Sequence, residues 1–316
     1  MKILFIAPTF EGGIGGHAAR VAEKLGEHGF EIKMMKIPSI PIKKIKNPSF
    51  AFFSTLKSLA SKETYDIVHA FNLPAAFSMR YTKATKKVLS IHGVYSEQVS
   101  ALHSDTTANA AKLAESKVLK WPDKLTTDSK TVQRQYKEKL GIDFDCLLAP
   151  LDIEKFKDIP DVPKKEKQIV YIGRDSYEKG IDVLRKIESQ INAKIVYCTN
   201  VEWKKAMLKL KESEILIIPS RMESIPQVIK EAFYLKVPII ASNVGGIPEL
   251  ITHEKNGLLI PSENEQILIE SINRLFLEKE FANSLAENGY NYVIKNLTWE
   301  ALLPEYIKFY EDLLNS

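Results

Sequence analysis

The chain has 316 residues, 45% of them hydrophobic and 27% charged, with a formal net charge of +4. This is the balance of an ordinary globular protein, and the length suggests two domains of about 150 residues. Two cysteines without metal-ligand spacing exclude a disulfide scaffold and a cysteine zinc module, no window approaches 18 apolar residues, and the apolar run in MKILFIAPTF is too short for a signal peptide, so a cytoplasmic protein is expected. Charge is unevenly spread: residues 1–150 hold 22 lysines and arginines against 14 acidic residues, a net +8, while residues 151–316 carry a net −4. A basic half points to an anionic surface or substrate, and with no nucleic-acid module in the sequence, nucleic acid is not the expected partner.

Strand-like runs and helical patterns alternate from the start. Short apolar runs at 2–7, 31–37, 66–70, 87–92, 123–127 and 146–150 read as strands, with helical periodicity over 15–29, 49–62, 97–120 and 129–140. KDIPDVPKKEK (157–167), rich in proline and charge, reads as a linker. The alternation then restarts, with strands expected at 168–173, 194–198, 214–220, 238–242 and 257–261. Helices are expected at 180–191, 201–211, 225–235, 246–251 and 264–293, and an amphipathic helix over 299–314 closes the chain. Such alternation gives α/β domains with parallel sheets, here two Rossmann-like ones with a cleft between their strand ends. The expected division is 1–156, a linker at 157–167, 168–296, and a C-terminal helix in 297–316 that can cross back to the first domain.

In an open α/β sheet, ligands bind beyond the carboxyl ends of the strands, so chemistry is expected on the loops there. EGGIGGHAAR (11–20) satisfies a G-x-G-x-x-A spacing, but an acidic residue is missing at the end of the second strand, so it reads either as a flexible turn and helix cap or as a glycine loop whose N–H groups approach an anion or sugar. YIGRDSYEKG (171–180) sets Arg174 and Lys179 beside a helix start, where two cations can hold a diphosphate. RMESIPQVIKEAF (221–233) follows a buried-looking strand and puts Glu223 on the loop and Glu231 inside the helix, with Ser224 placed to cap it and Pro226 in its first turn. Gly245 and Gly246 in ASNVGGIPEL permit close backbone approach. His92 in IHGVY stands at a strand end, as a structural or a catalytic histidine. Asp143-Phe144-Asp145 has an Asp-x-Asp spacing but falls at the amino end of a strand, so no metal site is expected. PIKKIKNPSFAFFSTLKSLASK (41–62) mixes lysine and phenylalanine, as either an ordinary surface helix or a segment for an anionic membrane face.

Together these segments resemble the retaining glycosyltransferases of family 4, also called group 1, which have the two-domain GT-B fold. The likeness is strongest from 168 to 262, through YIGRDSYEKGIDVL and PSRMESIPQVIKEAFYLKVPIIASNVGGIPELITHEKNGLLIP, and looser through PTFEGGIGGHAARVAEKLGEHG and SIHGVY. It implies a hexosyltransferase that uses a nucleotide diphosphate sugar, UDP- or GDP-linked, and a hydroxyl acceptor, which the basic first half suggests is lipid-linked or a cell-surface glycan precursor at the membrane face. It also implies neither metal nor cofactor. Glu223 would meet the donor sugar, Glu231 the ribose, and Arg174 and Lys179 the diphosphate. Ser224, Ile225 and Pro226 would bring backbone toward the donor, Gly12 and Gly13 would border it, and His92 would approach the sugar. The chain departs from the family at Pro150-Leu151-Asp152, where a longer hinge motif is usual, and at Cys198-Thr199-Asn200, near the nucleotide base. A nucleotide-sugar epimerase or a phosphorylase of the same shape, or a non-catalytic sugar-nucleotide-binding relative, is the alternative.

Overall fold

The computed structural model describes residues 1–11, 13–37, 46–93 and 115–315. Gly12 and most of the helical pattern expected over 97–120 lie outside these residues. The chain divides into two units, one of residues 1–149 with 303–316 and one of residues 150–302. Among the described residues, no helix is long and apolar enough to cross a membrane.

In the first unit, six strands form one parallel sheet: β1 Lys2–Ile6, β2 Glu31–Met35, β3 Thr64–Phe71, β4 Lys83–Ser90, β5 Lys124–Thr127 and the two-residue β6 Asp145–Cys146. Their spatial order is β2-β1-β3-β4-β5-β6. Ile3, Phe5, Ile6, Ile67, Val68, Val88 and Leu89 are fully buried, the continuous apolar strands of a sheet covered on both faces. The helix Gly13–Glu27 buries Ala18, Val21, Ala22 and Leu25, one stripe at helical spacing.

The second unit repeats the plan with β7 Gln168–Ile172, β8 Lys194–Cys198, β9 Ile215–Ile218, β10 Ile239–Ser242 and β11 Leu258–Ile260, all parallel in the order β11-β10-β9-β7-β8. From β7 the chain steps to β8 on one side, then returns to β9 on the other. The helices after β7 and β9 accordingly lie on opposite faces. Ile181–Ile187 packs with Glu265–Leu277, and Gln227–Tyr234 with Lys279–Asn296. The loops after β7 and β9 therefore lead away to different faces, and such a switch point is where doubly wound sheets hold ligands.

Several elements differ from the sequence reading. The helix expected over 264–293 is two, Glu265–Leu277 and Lys279–Asn296, broken at Glu278 (φ −94°, ψ 69°). A helix at Leu73–Tyr81 has no counterpart in the sequence pattern; it buries Leu73, Ala75, Ala76, Ser78 and Met79, but its exposed face carries the aromatic Phe77 and Tyr81 beside Arg80, so hydrophobicity does not separate the two faces. Residues 150–167 belong to the second unit. Phe156 is buried against Trp203 and Tyr234, and Ile159 is buried. The last helix spans Trp299–Asn315, and its residues from 303 onward belong to the first unit.

Candidate active site

The carboxyl edge of the second sheet carries most of the expected residues. Lys179 ends a single 3₁₀ turn, Tyr177–Lys179, after β7, and the chain then reverses at Gly180 in the left-handed region, φ 64°. A Cβ on Gly180 would stand 2.0 Å from the carbonyl oxygen of Pro219, so only glycine lets this turn lie against the loop after β9. The result is a direct contact. Lys179 Nζ donates to Glu223 Oε1 at 2.7 Å, and the buried Ser220 hydroxyl donates to the same oxygen at 2.9 Å. Glu223 is 9% exposed, and its Oε2 has no hydrogen-bond partner among the described residues. That oxygen keeps the capacity to accept a further hydrogen bond.

Gly245, at φ 55°, packs the loop after β10 onto this turn; a Cβ there would meet the Glu223 carbonyl oxygen at 1.8 Å. Ile225 and Pro226 are buried beneath. Pro226 itself stands at the position before the first helical residue, Gln227, with no side-chain cap, which corrects the expectation that Ser224 caps this helix. A proline at that point needs no hydrogen bond from its own nitrogen.

Arg174 is placed after β7 as expected, but its side chain is 71% exposed and pairs with Glu178 at 3.0 Å rather than with the Lys179–Glu223 pair. Its carbonyl accepts from the Tyr171 hydroxyl at 2.6 Å, and burial beside the Glu223 charge pushes that phenol's pKa up. The more deeply set arginine is Arg221, its side chain 10% exposed, which the sequence reading does not single out. It forks onto Asp182 at 2.7 and 2.8 Å, reaches Glu263 at 2.8 Å and the Tyr177 carbonyl at 2.7 Å, and lies 4.0 Å over the Tyr177 ring. The Arg221 hydrogen bonds hold the Asp182 carboxyl below its usual range. Arg221 thus ties three strand-end loops together, a long-range link that no short sequence window displays.

Glu231 sits on the inner turn of Gln227–Tyr234. Its Oε1 accepts the Trp203 indole N–H at 2.7 Å. Burial raises its carboxyl pKa, and the indole hydrogen bond opposes that rise.

In the first unit, Gly13 opens the first helix. His92 lies just past β4 with Nδ1 3.1 Å from Asp128 Oδ2, both side chains nearly buried, and its Nε2 has no hydrogen-bond partner among the described residues. It lines a small cavity with His17, His69, Thr127 and Tyr306, and with the apolar Val21, Phe71 and Leu147, roomy enough for about one water molecule. Behind it, the fully buried His69 is bonded through Nδ1 to the Tyr310 hydroxyl (2.7 Å) and through Nε2 to the Ser90 hydroxyl (2.6 Å), and burial drives its pKa well down. Asp143 and Asp145 form ion pairs with Lys137 and Lys124.

Comparison with known proteins decides the family. Residues 184–292 match the family described as glycosyl transferases group 1, and residues 11–147 match glycosyltransferase family 4. The chain is a group 1, family 4 glycosyltransferase. An uncharacterised glycosyltransferase of Methanocaldococcus jannaschii is 24% identical over 98% of both chains. The putative teichuronic acid biosynthesis glycosyltransferase TuaC of Bacillus subtilis is 26% identical over 76% of this chain and 69% of its own. Among solved structures, sucrose-phosphate synthase from Thermosynechococcus elongatus superposes with a TM-score of 0.83 at 17% identity, over 99% of both chains. HepE from Anabaena, solved in complex with UDP-glucose, gives 0.73 at 14% identity over 99% of this chain and 100% of its own. The fold is thereby GT-B, two Rossmann-like α/β domains.

Proposed function

We propose that this glycosyltransferase moves a hexosyl group, with retention and without a metal, from a UDP- or GDP-linked sugar to a hydroxyl acceptor. The observation that carries this reading is the Lys179–Glu223 pair, held at the switch point of the second sheet with a carboxylate oxygen to spare. Lys179 supplies positive charge to the leaving diphosphate, Glu223 Oε2 accepts from a sugar hydroxyl, and Glu231 takes the ribose. Arg174, on an exposed stretch of the same loop, turns onto the diphosphate, and His92, oriented by Asp128, is the first unit's group for the transferred sugar. The bond from C1 to the diphosphate oxygen breaks, the acceptor oxygen bonds C1 on the same face, and the acceptor proton passes to the departing phosphate oxygen, so no side-chain nucleophile is required. HepE's complex with UDP-glucose supports a nucleotide-sugar donor.

The test is release of UDP, GDP or ADP from the respective nucleotide sugars. Nucleoside diphosphate should appear only when an acceptor is supplied, with an α-configured product and a rate unchanged by EDTA. Release without acceptor, or no release by the wild type across a broad acceptor panel, favours an epimerase or a binding relative.

For the acceptor, the helix Lys46–Ala60 exposes Phe52, Phe53, Leu56 and Leu59, and the neighbouring helix exposes Phe77 and Tyr81, with Lys46, Lys57 and Arg80 on the same two helices. Residues 41–45 of the segment singled out in the sequence lie outside the described residues. Aromatic and basic side chains together suit an anionic lipid surface and hence a lipid-linked acceptor. Sedimentation with anionic vesicles at low and high salt checks this: binding should be strong at low salt and fall as salt rises, and no binding at low salt removes it.

A further inference from the structure

Glu231 is a partly buried carboxylate with an incomplete set of partners. Oε1 takes the Trp203 indole N–H, and Oε2 has no hydrogen-bond partner among the described residues. Trp203 opens the helix Trp203–Lys211, five residues past the end of β8, so it too stands at the carboxyl edge of the second sheet. Its ring is held edge-on against Phe156 (centroids 5.1 Å, 77°), and Phe156 in turn packs on Tyr234 (4.6 Å). The aromatic wall fixes the direction of the N–H, and the N–H fixes the rotamer of Glu231.

We propose that Trp203 is a positioning residue for the nucleoside half of the donor: by engaging one oxygen of Glu231, it presents the other to the ribose diol of a nucleoside diphosphate. The proposal rests on Glu231 being the ribose-binding carboxylate. An ionised carboxylate is the better acceptor for two hydroxyls, and Trp203, with Lys155 and Lys230 facing the same group, opposes the rise that burial imposes on it. Trp203 therefore governs both the aim and the charge of Glu231, although it need not touch the ligand.

Calorimetric titration with UDP, with GDP and ADP alongside, tests this on the whole protein. The tightest of the three is carried forward with its 2′-deoxy counterpart and inorganic pyrophosphate. Glu231→Gln should weaken the ribonucleotide tenfold or more. Trp203→Phe should weaken it roughly 5- to 20-fold, shrink the preference for ribose over 2′-deoxyribose, leave pyrophosphate binding unchanged, and lose more at pH 6 than at pH 8 relative to the wild type. If Glu231→Gln binds normally, or no nucleotide binds the wild type, the ribose assignment fails and the proposal with it. If Glu231→Gln is impaired while Trp203→Phe keeps full affinity and an unaltered ribose preference, the assignment stands and the positioning role is overturned. Should Trp203→Phe not fold, the wild-type indole ¹⁵N–H signal, assigned with Trp121→Phe and Trp299→Phe among the three tryptophans, carries the test. It should shift as UDP binds, and an unmoved signal at saturation overturns the role.

Discussion

The two sheets share a strand order, yet their carboxyl edges are chemically opposite. Past β7 and β9 the side chains are charged: Lys179 on Glu223, and Arg221 on Asp182 and Glu263. In the last residues of β3, β4 and β5, joined by Tyr310 of the closing helix, they form a buried chain of neutral groups, Tyr310–His69–Ser90–Thr126, the last step 2.5 Å between hydroxyls, with His92 and Asp128 beside it. One topology thus carries a cluster of ion pairs in one unit and a tightly bonded polar core in the other. Topology fixes where a site can lie; the residues on the loops decide whether it is charged.

The contrast can be broken most severely at Lys179. Lys179→Ala should cut turnover ~10²–10³-fold, about 3–4 kcal/mol of transition-state stabilisation, while thermal unfolding moves little. Steady-state rates with saturating nucleotide sugar check it, and near-normal turnover would dissociate this pair from the chemistry. Next, Gly245→Ala forces a Cβ into the Glu223 carbonyl in a left-handed turn. It should cost about 2–3 kcal/mol, or roughly 5–10 °C in Tm for the second unit, measured by calorimetry.

The first unit should instead answer to acid. Because folding depresses the His69 pKa, the unfolded chain binds the proton more readily. The stabilisation is complete above about pH 6.5 and falls by up to about 1.4 kcal/mol per pH unit below it, as the unfolded histidine titrates. After burial, the neighbouring His17 and His92 also push the His69 pKa down. Urea midpoints from pH 5 to 8 should slope accordingly, and His69→Gln should flatten that slope. The smallest change is Tyr310→Phe, which leaves one His69 nitrogen unbonded and should cost about 1 kcal/mol by the same unfolding measurement.

Much of this is legible in the sequence. The strands declare themselves because both faces are covered, so Ile215–Ile218 and Ile239–Ser242 read as unbroken apolar runs. Glu223 and Lys179 are legible because their loops follow such strands at once. Trp203 and Arg221 are not, since each acts through hydrogen-bond partners 28 to 44 residues away in the chain. The helix Leu73–Tyr81 escapes because its exposed face carries Phe77 and Tyr81, so apolar residues stand on both faces. Ser224 reads as a cap because its sequence position suits one, while the backbone enters the helix two residues later, at Pro226.

The closing helix has a consequence for how the protein comes into being. Tyr306 bonds the Leu148 carbonyl at 3.0 Å, 158 residues back along the chain, and Tyr310 bonds His69, 241 residues back. The half of the polypeptide that leaves the ribosome first is therefore completed by residues made after the whole second unit. During synthesis the nascent amino-terminal sheet must wait, its polar interior unsealed, until those tyrosines emerge. A stop codon ahead of Glu305 would damage the fold in a segment encoded far upstream of the lesion.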